Sequence, residues 1–283
     1  MKSPRRQFLK LTVSAGASFA FSGIALAQSY PVRPVRVIVP YSPGGPTDVC
    51  ARLIAQKLSD QLGKQFYVEN ITGAGGNIGT GQAARSAPDG YTILITVNSY
   101  VINPTLYDKV PYNALKDFEA VTLVAIFQSA MLVNPSVTAK TVGELVALIK
   151  ANPNKYSFAS PGFGTPSHLL GEQFRVAAGL DLVHVPYGGS GQVITSVAAG
   201  NTPIGFAALS AAVPLIQDGK LRALAVMSRQ RTQAVPDLPT IERPAMASST
   251  AMPGSGSWCR AVRRRTSSRC CTRRSSGSSR CRK

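Results

Sequence analysis

The stretch "VRVIVPYSPGGPTDVCARLIAQKLSDQLG" (35–63) decides the fold class. Its first six residues are a β-branched run that ends at turn-forming residues, which is typical of a buried strand. After the turn, apolar side chains follow at helical spacing up to a stop at Gly63: Val49, Leu53, Ile54, Leu58 and Leu62. The stretch therefore predicts a strand, a glycine-rich turn and a helix.

The same order of strand, turn and helix repeats along the chain. Strand patterns recur in "FYVEN", "YTILIT", "FEAVTLVAIF" with "AMLVN" (one or two strands), "YSFAS", "LVHVPY", "PIGFAAL" and "LRALAVM". Helical patterns lie between them, and the one in "TVGELVALIKANP" begins with Thr141 and Glu144 at capping-box spacing. The alternation predicts an α/β protein with mostly parallel sheets and helices on both faces.

Four strand-to-helix loops are rich in glycine: "PYSPGGPTDV" (40–49), "ENITGAGGNIG" (69–79), "SPGFGTPSHL" (160–169) and "VPYGGSGQV" (185–193). Each is compatible with a plain turn. The second loop lacks the spacing of a dinucleotide fingerprint, so we interpret it as a turn, a cleft lining or both. We expect Thr47 or Asp48 to cap the first helix, and Thr165 to cap another with Pro166 at its first position. Together the loops predict a cleft of backbone N–H groups that suits a carboxylate or other small anion.

Catalytic motifs are missing from the sequence. There is no G-x-S-x-G elbow, P-loop or H-E-x-x-H. We interpret His168 near Glu172 as a pair on a helix surface, and Cys50 as a structural thiol. No catalytic residue, metal or cofactor is therefore expected.

Both ends of the chain depart from the composition of the body. Hydrophobic residues make up 44% of the 283 residues, which is typical of a globular protein. Of the 31 basic residues, 4 lie in 1–27 and 11 in 242–283, which leaves 16 against 12 acidic residues between them. The net charge of +18 therefore reflects the two ends.

The first 27 residues have the pattern of an export signal. A basic start precedes an apolar run and the small-residue pattern Ala25-Leu26-Ala27. The stretch "PRRQFLK" resembles a twin-arginine (Tat) signal, and an ordinary Sec signal is the alternative. We expect a mature protein that begins near Gln28 in a periplasm.

Residues 242–283, the basic tail, admit three interpretations. A nucleic-acid-binding arm fits its ten arginines but not an exported protein. A disulfide-bonded extension fits its four cysteines, which have no apolar framework around them. Out-of-frame translation of a GC-rich gene fits its arginine, serine and cysteine content, and we favour it. Such a tail predicts disorder, an exposed apolar patch on the first domain and impaired ligand binding.

Several stretches closely resemble the Bug (TctC-like) family of periplasmic substrate-binding proteins of tripartite tricarboxylate transporters. They are "YPVRPVRVIVPYSPGGPTDVCARLIAQKLSDQLG", "VENITGAGGNIGTGQAARSAPDGYTILI", "YSFASPGFGTPSHLLGEQF" and "LVHVPYGGSGQVITSVAAGNTPIGF", within 29–241. The resemblance implies a two-domain periplasmic-binding-protein (Venus-flytrap) fold that closes over a small carboxylate. It implies delivery to integral-membrane permease subunits, and we expect a monomer that binds no nucleic acid. The alternative is an exported α/β hydrolase-like enzyme.

The resulting domain prediction is a signal at 1–27, domain 1 at 28–125, domain 2 at 126–230, a return crossover to domain 1 at 231–241, and the tail. After "PDLPTI" the family continues as roughly "AEAGYPGFE" and later returns to the first domain, so the C-terminal part of domain 1 is expected to be missing.

The resemblance also implies the ligand-binding residues. Family members commonly have proline where this chain has Gln192, and a polar group where it has Ala207, which leaves the ligand open among dicarboxylates, tricarboxylates, acidic amino acids and aromatic acids. The implied binding residues are Tyr41, Ser42, Pro43, Gly44, Gly45, Thr47, Asp48, Asn98, Ser99, Ser160, Gly162, Gly164, Thr165, Ser167, Tyr187, Gly188, Gly189, Ser190 and Ala207, with Ala208 facing the same cleft.

Overall fold

The computed structural model describes residues 30–228, 230–241 and, for the backbone alone, 256–264. The predicted export signal at 1–27 lies outside the described residues. The chain divides into a short unit, 1–32, and a large unit, 33–283. No helix within the described ranges is long and apolar enough to cross a membrane.

The first lobe of the large unit is built on a sheet with the strand order β2-β1-β3-β9-β4, in which β9 is Gly256–Arg264. Strands β1, β2 and β3 run parallel, as the sequence predicts. The helices follow the strands in the alternating order. The elements are β1 (Val35–Val39), α1 (Pro46–Leu62), β2 (Phe66–Asn70), α2 (Asn77–Arg85), β3 (Thr92–Thr96), α3 (Ser99–Leu106) and the amino-terminal part of β4 (Phe118–Val133).

The second lobe repeats the plan around the carboxyl-terminal part of β4, with β7, β5 and β6 on one side and β8 on the other. Strand β5 runs parallel to β6 and β7. The elements are α4 (Val142–Lys150), β5 (Ser157–Ser160), α5 (Pro166–Ala177), β6 (Val183–Pro186), α6 (Ser190–Ala198), β7 (Ile204–Ala208), α7 (Leu209–Gln217) and β8 (Arg222–Val226).

Strand β4 belongs to both lobes. Its residues up to Gln128 pair with β9 of the first lobe, and those from Ser129 pair with β7 and β8 of the second. The predicted boundary between residues 125 and 126 falls within this strand. One continuous strand thus links the two sheets.

Helix α1 contacts the first sheet through small side chains. Ala51 and Ala55 are buried against Val35, Val37 and Val39. Alanine lets a helix approach a sheet closely. The larger apolar side chains of α1, which the sequence pattern places on one face, are consequently only partly buried or exposed. Exposed apolar side chains on this lobe include Val49 and Leu53 of α1 and Val121, Leu123 and Ile126 of β4.

The core of the second lobe is centred on three phenylalanine rings. Phe158, Phe174 and Phe206 are fully buried there, and the ring of Phe206 contacts the other two at centroid distances of 5.5 and 6.0 Å. Burial of each such ring stabilises the fold by roughly 1.5–3 kcal/mol. The core fixes the positions of β5 and β7, and hence of the loops that follow them.

The structure differs from the sequence-based expectation at two places in the carboxyl-terminal part of the chain. Residues 239–241 hydrogen-bond along β8, and Leu238 is buried in the second lobe, so 231–241 is not a return crossover to the first lobe. Gly256–Arg264 forms the strand β9, antiparallel to β3 and β4, where disorder is expected. Backbone groups of any proline-free segment satisfy such a pairing. The rest of the basic tail lies outside the described residues.

Candidate ligand-binding site

Four helices of the described chain begin at one cavity of about 40 Å³ between the lobes. Helix α1 comes from the first lobe, and α5, α6 and α7 come from the second. Each follows the carboxyl end of a strand, where α/β proteins bind ligands. The cavity is lined at these helix starts by Gly45, Pro46, Thr47, Thr165, Pro166, Ser167, Gly189, Ser190 and Ala208.

Three of these helix starts have no side-chain cap. The N-cap residues are Gly45 for α1, Gly189 for α6 and Ala208 for α7, and none of them makes a capping hydrogen bond. The first-turn N–H groups of a helix have no acceptor within the helix. They also lie at the positive end of the helix dipole. The cavity is therefore surrounded by donors that suit an anion.

Helix α1 begins earlier than the sequence predicts. Its first residue is Pro46 and its N-cap is Gly45, so neither Thr47 nor Asp48 caps it. Proline fits the first helical position because its fixed φ is helical and it has no N–H to satisfy. Thr47 consequently lies in the first turn and lines the cavity.

The Asp48 carboxylate contacts its own lobe instead of the cavity. It accepts hydrogen bonds from Gly44 N–H (3.0 Å), Arg52 Nε (2.9 Å) and Asn70 Nδ2 (2.8 Å). Burial alone would raise the pKa of Asp48, but the hydrogen bonds from Arg52, Gly44 and Asn70 hold that pKa below its ordinary value. Asp48 thus fixes the shape of the first loop as an ionised group.

The loop before α5 is held by Thr165, as predicted. Its hydroxyl accepts a hydrogen bond from His168 N–H at 3.3 Å and donates one to the Gly162 carbonyl at 2.7 Å. Pro166 occupies the first helical position. The side chain of Ser167 shares a hydrogen bond of 3.0 Å with Ser129 of β4.

The interpretation of His168 and Glu172 as a helix-surface pair is wrong. His168 is only 7% exposed, and its Nδ1 accepts a hydrogen bond from Gly164 N–H at 3.3 Å. Glu172 pairs instead with Arg175 at 2.7 Å. Spacing alone does not decide between these partners, because a histidine in the first turn also reaches the preceding loop.

Glycines let the two lobes approach closely. A Cβ on Gly75 of the first lobe would lie 2.0 Å from the Phe163 carbonyl oxygen of the second, and one on Gly164 would lie 1.8 Å from Asn103 Oδ1. The Ser42 N–H donates to the Gly188 carbonyl at 2.9 Å across the same gap. The second glycine-rich loop, which contains Gly75, therefore lines the contact between the lobes.

The predicted binding residues divide into two groups. Tyr41, Gly45, Thr47, Thr165, Ser167, Gly189 and Ser190 line the cavity, and so does Ala208. The others support or flank it: the Tyr187 hydroxyl bonds Ser196 at 2.6 Å, Ser99 bonds Tyr41, and Ala207 is buried in the second lobe. The remaining flanking residues are Ser42, Pro43, Gly44, Asp48, Asn98, Ser160, Gly162, Gly164 and Gly188.

Sequence reasoning missed the apolar part of the lining. Val97 and Pro161 complete the cavity just after the ends of β3 and β5, and Phe127 does so from within β4. Phe127 lies in β4 beside the change of strand partner, a position that follows from topology and not from a local motif.

A larger cavity of about 800 Å³ lies on the second lobe, away from these helix starts. It is lined mainly by apolar residues of α4, α7, β8 and 235–241. At the helix start that it meets, that of α4, Thr141 Oγ1 accepts from Glu144 N–H (3.2 Å) as predicted, whereas Glu144 Oε2 accepts from Lys140 N–H (2.7 Å) and not from the N-cap residue. This cavity therefore offers an anion fewer unpaired donors than the smaller one.

The nearest arrangement to a catalytic pair is Ser160 and His184, whose Oγ and Nε2 lie 2.7 Å apart. No carboxylate orients the imidazole: its buried Nδ1 has no hydrogen-bond partner within the described chain. Burial and the neighbouring His168 lower the pKa of His184 to about 4, and Ser160 is fully buried. Burial also raises the pKa of the Cys50 thiol. The described residues include no cluster of three metal-ligating side chains.

Residues 50–255 match the model of the tripartite tricarboxylate transporter family receptor. The chain belongs to this family. Protein BugT of Bordetella pertussis is 37% identical over 237 residues, which cover 82% of this chain and 73% of BugT. The resemblance inferred from the sequence is confirmed.

Solved structures show the same fold. Rpa4515 of R. palustris, solved with adipate, is 30% identical with a TM-score of 0.78, over 83% of this chain and 78% of that one. MatC (Rpa3494) of Rhodopseudomonas palustris, with bound malate, is 28% identical with a TM-score of 0.77, over 83% and 79%. The predicted two-domain binding-protein fold is confirmed, and the chain is a receptor of this family and not an enzyme.

Proposed function

We propose that this protein binds a small dicarboxylate between its lobes and presents it to the membrane subunits of a tripartite transporter. The observation that carries the proposal is the convergence of four helix N-termini, from both lobes, on one cavity. Two relatives of the same fold, solved with adipate and with malate, support a dicarboxylate over the other acids.

The donor set suits a carboxylate for electrostatic reasons. No lysine or arginine is among the described residues that line the cavity, so the attraction comes from backbone N–H groups and helix dipoles. The Ser42 hydroxyl, buried beside Gly188 and Gly189, has no partner within the described chain and is a further donor for the ligand. Hydrogen bonds to a charged acceptor are roughly twice as strong as neutral ones.

Binding requires the lobes to separate. A cavity of about 40 Å³ is close to the volume of a single water molecule, and a dicarboxylate is several times larger. The hinge of this motion lies in β4 between Gln128 and Ser129, where the strand changes partners from one sheet to the other. Closure over the ligand then brings α1 towards α5, α6 and α7.

The ligand class is tested by titrating the purified protein with malate and adipate, and with the diamides of the same acids. A ligand at 100 times its Kd stabilises the fold by about 2.7 kcal/mol. We expect a rise in the melting temperature with the acids and none with the diamides. Equal shifts with acid and diamide, or no shift with any acid, would contradict the proposal.

The site of action follows from the export signal. We place the receptor in the periplasm, consistent with relatives described as periplasmic, and propose that it acts as a monomer. Because the Tat pathway depends on its arginine pair, replacing Arg5 and Arg6 with lysine should leave the precursor unexported. Periplasmic fractionation decides the point, since unchanged export of the variant would assign a Sec signal.

The basic tail is proposed to be read out of frame. Every codon for Met246 ends in G and every codon for Ala247 begins with GC, so the frame one base earlier reads Gly there. One codon choice for the residues before it gives Gly-Tyr, the pair that the family resemblance places after "PDLPTI". Sequencing the gene around codon 241 tests the proposal. An uninterrupted frame in independent isolates, encoding the same tail, would overturn it.

A further inference from the structure

Four aromatic side chains lie together behind the loop 160–167: Phe158, Phe163, His168 and His184, here termed the imidazole cluster. His184 stacks on Phe158 at a centroid distance of 4.9 Å and lies 4.3 Å from His168. The Phe163 ring meets both imidazoles edge-on, at 5.1 and 4.8 Å. None of the four lines the cavity, so the cluster is distinct from the ligand contacts.

Both imidazoles hydrogen-bond to the loop. His184 Nε2 lies 2.7 Å from the Ser160 hydroxyl, which also accepts from Gly162 N–H at 3.2 Å. His168 Nδ1 accepts from Gly164 N–H at 3.3 Å. The two histidines thus hold the loop near its start and near its end.

The loop backbone needs such support. Gly162 and Gly164 have positive φ angles of +122° and +74°, in a region that glycine enters and leaves freely. A segment with this freedom does not keep one conformation by itself. The loop leads directly into the first turn of α5, whose Thr165 and Ser167 line the cavity.

We infer that His168 and His184 are positioning residues that, as neutral imidazoles, hold the loop 160–167 and the start of α5 in the ligand-binding conformation. The inference deepens the proposed function and rests on it. It goes beyond direct ligand contacts, because both residues act through the loop.

The neutral form is required by the hydrogen bonds. A proton on His168 Nδ1 would replace the acceptor of Gly164 N–H, and one on His184 Nδ1 would bury a donor without a partner. Among the described residues, one charged group lies near the two histidines: Glu172, which forms an ion pair with Arg175. Each imidazole is in addition a titratable neighbour of the other. Burial lowers the pKa of both histidines, and that of His184 to about 4. As the pH falls, an unfolded or opened chain, in which the histidines have their ordinary pKa, is therefore protonated before the folded protein. The stabilisation by neutral histidine is therefore complete above pH 6.5 and is lost as the pH falls towards 4.

Matched variants separate hydrogen bonding from ring packing. His184→Gln keeps an amide nitrogen near the Nε2 position, whereas His184→Phe keeps the ring and removes the hydrogen bond. Likewise His168→Asn keeps an acceptor near Nδ1, and His168→Phe removes it. We expect each Phe variant of the full chain to lose about tenfold in malate or adipate affinity, which corresponds to one hydrogen bond of roughly 1.4 kcal/mol. The Gln and Asn variants should recover most of the loss. The reverse order, with the Phe variants binding like the original protein, would overturn the inference.

A readout without ligand keeps this test independent of the proposed function. Amide hydrogen exchange at Gly162 and Gly164 should be faster in the Phe variants and close to the original in the Gln and Asn variants. If the original protein binds no carboxylate, the proposed function fails while exchange still decides the role of the histidines. Equal exchange in all five proteins would refute that role.

The pH dependence is tested against the double variant His168→Asn with His184→Gln. Titration of the ligand carboxylates is common to both proteins, so the difference between their affinity profiles from pH 8 to pH 5 reports on the imidazoles. We expect the original protein to lose more affinity on acidification than the double variant. Parallel profiles would overturn the requirement for the neutral form.

Discussion

Helices α1 and α4 differ in the residue at the N-cap, although in both an acidic side chain of the first turn accepts the N–H of the residue before the cap. At α4, Thr141 Oγ1 accepts a hydrogen bond from Glu144 N–H, and the Glu144 carboxylate accepts one from Lys140 N–H, so the helix start has a side-chain cap. At α1, the N-cap is Gly45, which has no side chain, and the helix start lies on the cavity between the lobes. The proposed ligand site thus includes a helix start without a side-chain cap, whereas the start of α4, away from that site, has one.

The same contrast extends to the other helices at the cavity. Gly189 and Ala208 leave α6 and α7 without side-chain caps. Relative to a good cap, glycine destabilises a helix by a few tenths of a kcal/mol and alanine by about 1 kcal/mol. A small loss of stability at each start therefore leaves several backbone donors unpaired at the cavity.

The largest expected effect is the loss of ligand affinity when a carboxylate is placed at the start of α1, compared with the start of α4. Gly45→Asp adds a cap and a negative charge at the cavity, and an added Cβ has no atom closer than 3.7 Å. We expect carboxylate affinity to fall by about a hundredfold, or roughly 2.7 kcal/mol, while stability is kept or rises. Calorimetric titration measures the affinity.

Gly143→Asp is the matched control, since it adds the same charge to the first turn of α4 in open space. It should leave affinity within about twofold of the original. Similar losses in both variants would show that the charge acts at long range and that α1 is not special.

The approach of the lobes predicts the next effect. Gly75→Ala places a Cβ 2.0 Å from the Phe163 carbonyl oxygen, whereas Gly179→Ala, at a similar φ of +58° against +63°, meets nothing within 4 Å. Both substitutions should destabilise the fold by about 1–2 kcal/mol through backbone strain. Only Gly75→Ala should also weaken ligand binding, by about tenfold or more, because it keeps the lobes apart. Urea unfolding and calorimetry on both variants measure the two effects, and equal affinities would contradict the closure.

Removal of a threonine cap should act differently at the two kinds of helix start. Thr141→Ala and Thr165→Ala each lose a cap worth about 1 kcal/mol of stability. Thr165→Ala also loses the hydrogen bond to the Gly162 carbonyl, and its site lines the cavity. We expect affinity to fall several-fold for Thr165→Ala alone, as measured by titration beside thermal melts. An equal loss of affinity in Thr141→Ala would contradict the claim that only the helix starts at the cavity affect ligand binding.

The smallest expected effect is at Gln192. Its Oε1 accepts a hydrogen bond from Gly188 N–H at 2.8 Å on the exposed side of the loop before α6. In Gln192→Ala, water replaces the side chain as the acceptor, so stability should change by less than about 0.5 kcal/mol. Affinity should change by less than about threefold, whereas a large loss would make Gln192 a ligand contact.

The parts of the site that the sequence predicts are those fixed by local chemistry. Glycines before helices identify the loops at Gly45 and Gly189, and Thr165 with Pro166 marks a helix start directly. The start of α1 differs from the prediction because Pro46 takes the first helical position. Gly45 is therefore the N-cap, and Thr47 and Asp48 lie within the first turn.

The parts that were missed depend on tertiary contacts. His168 turns to Gly164 and not to Glu172, a choice that spacing does not determine. Phe127 reaches the cavity only because β4 crosses between the sheets. Helix α3 is short and contains Pro104, so its sequence has no clear helical signal.

Amide chemical shifts during a malate titration test the central claim most directly. On a deuterated, ¹⁵N-labelled sample, we expect the N–H signals of Thr47, Ser190 and Leu209 to shift together with a single Kd, as donors to one anion. The N–H signals of Val142 and Gly143, at the capped start of α4, should stay in place. Shifts confined to other residues, or equal shifts at α4, would contradict the claim that uncapped helix starts form the carboxylate site.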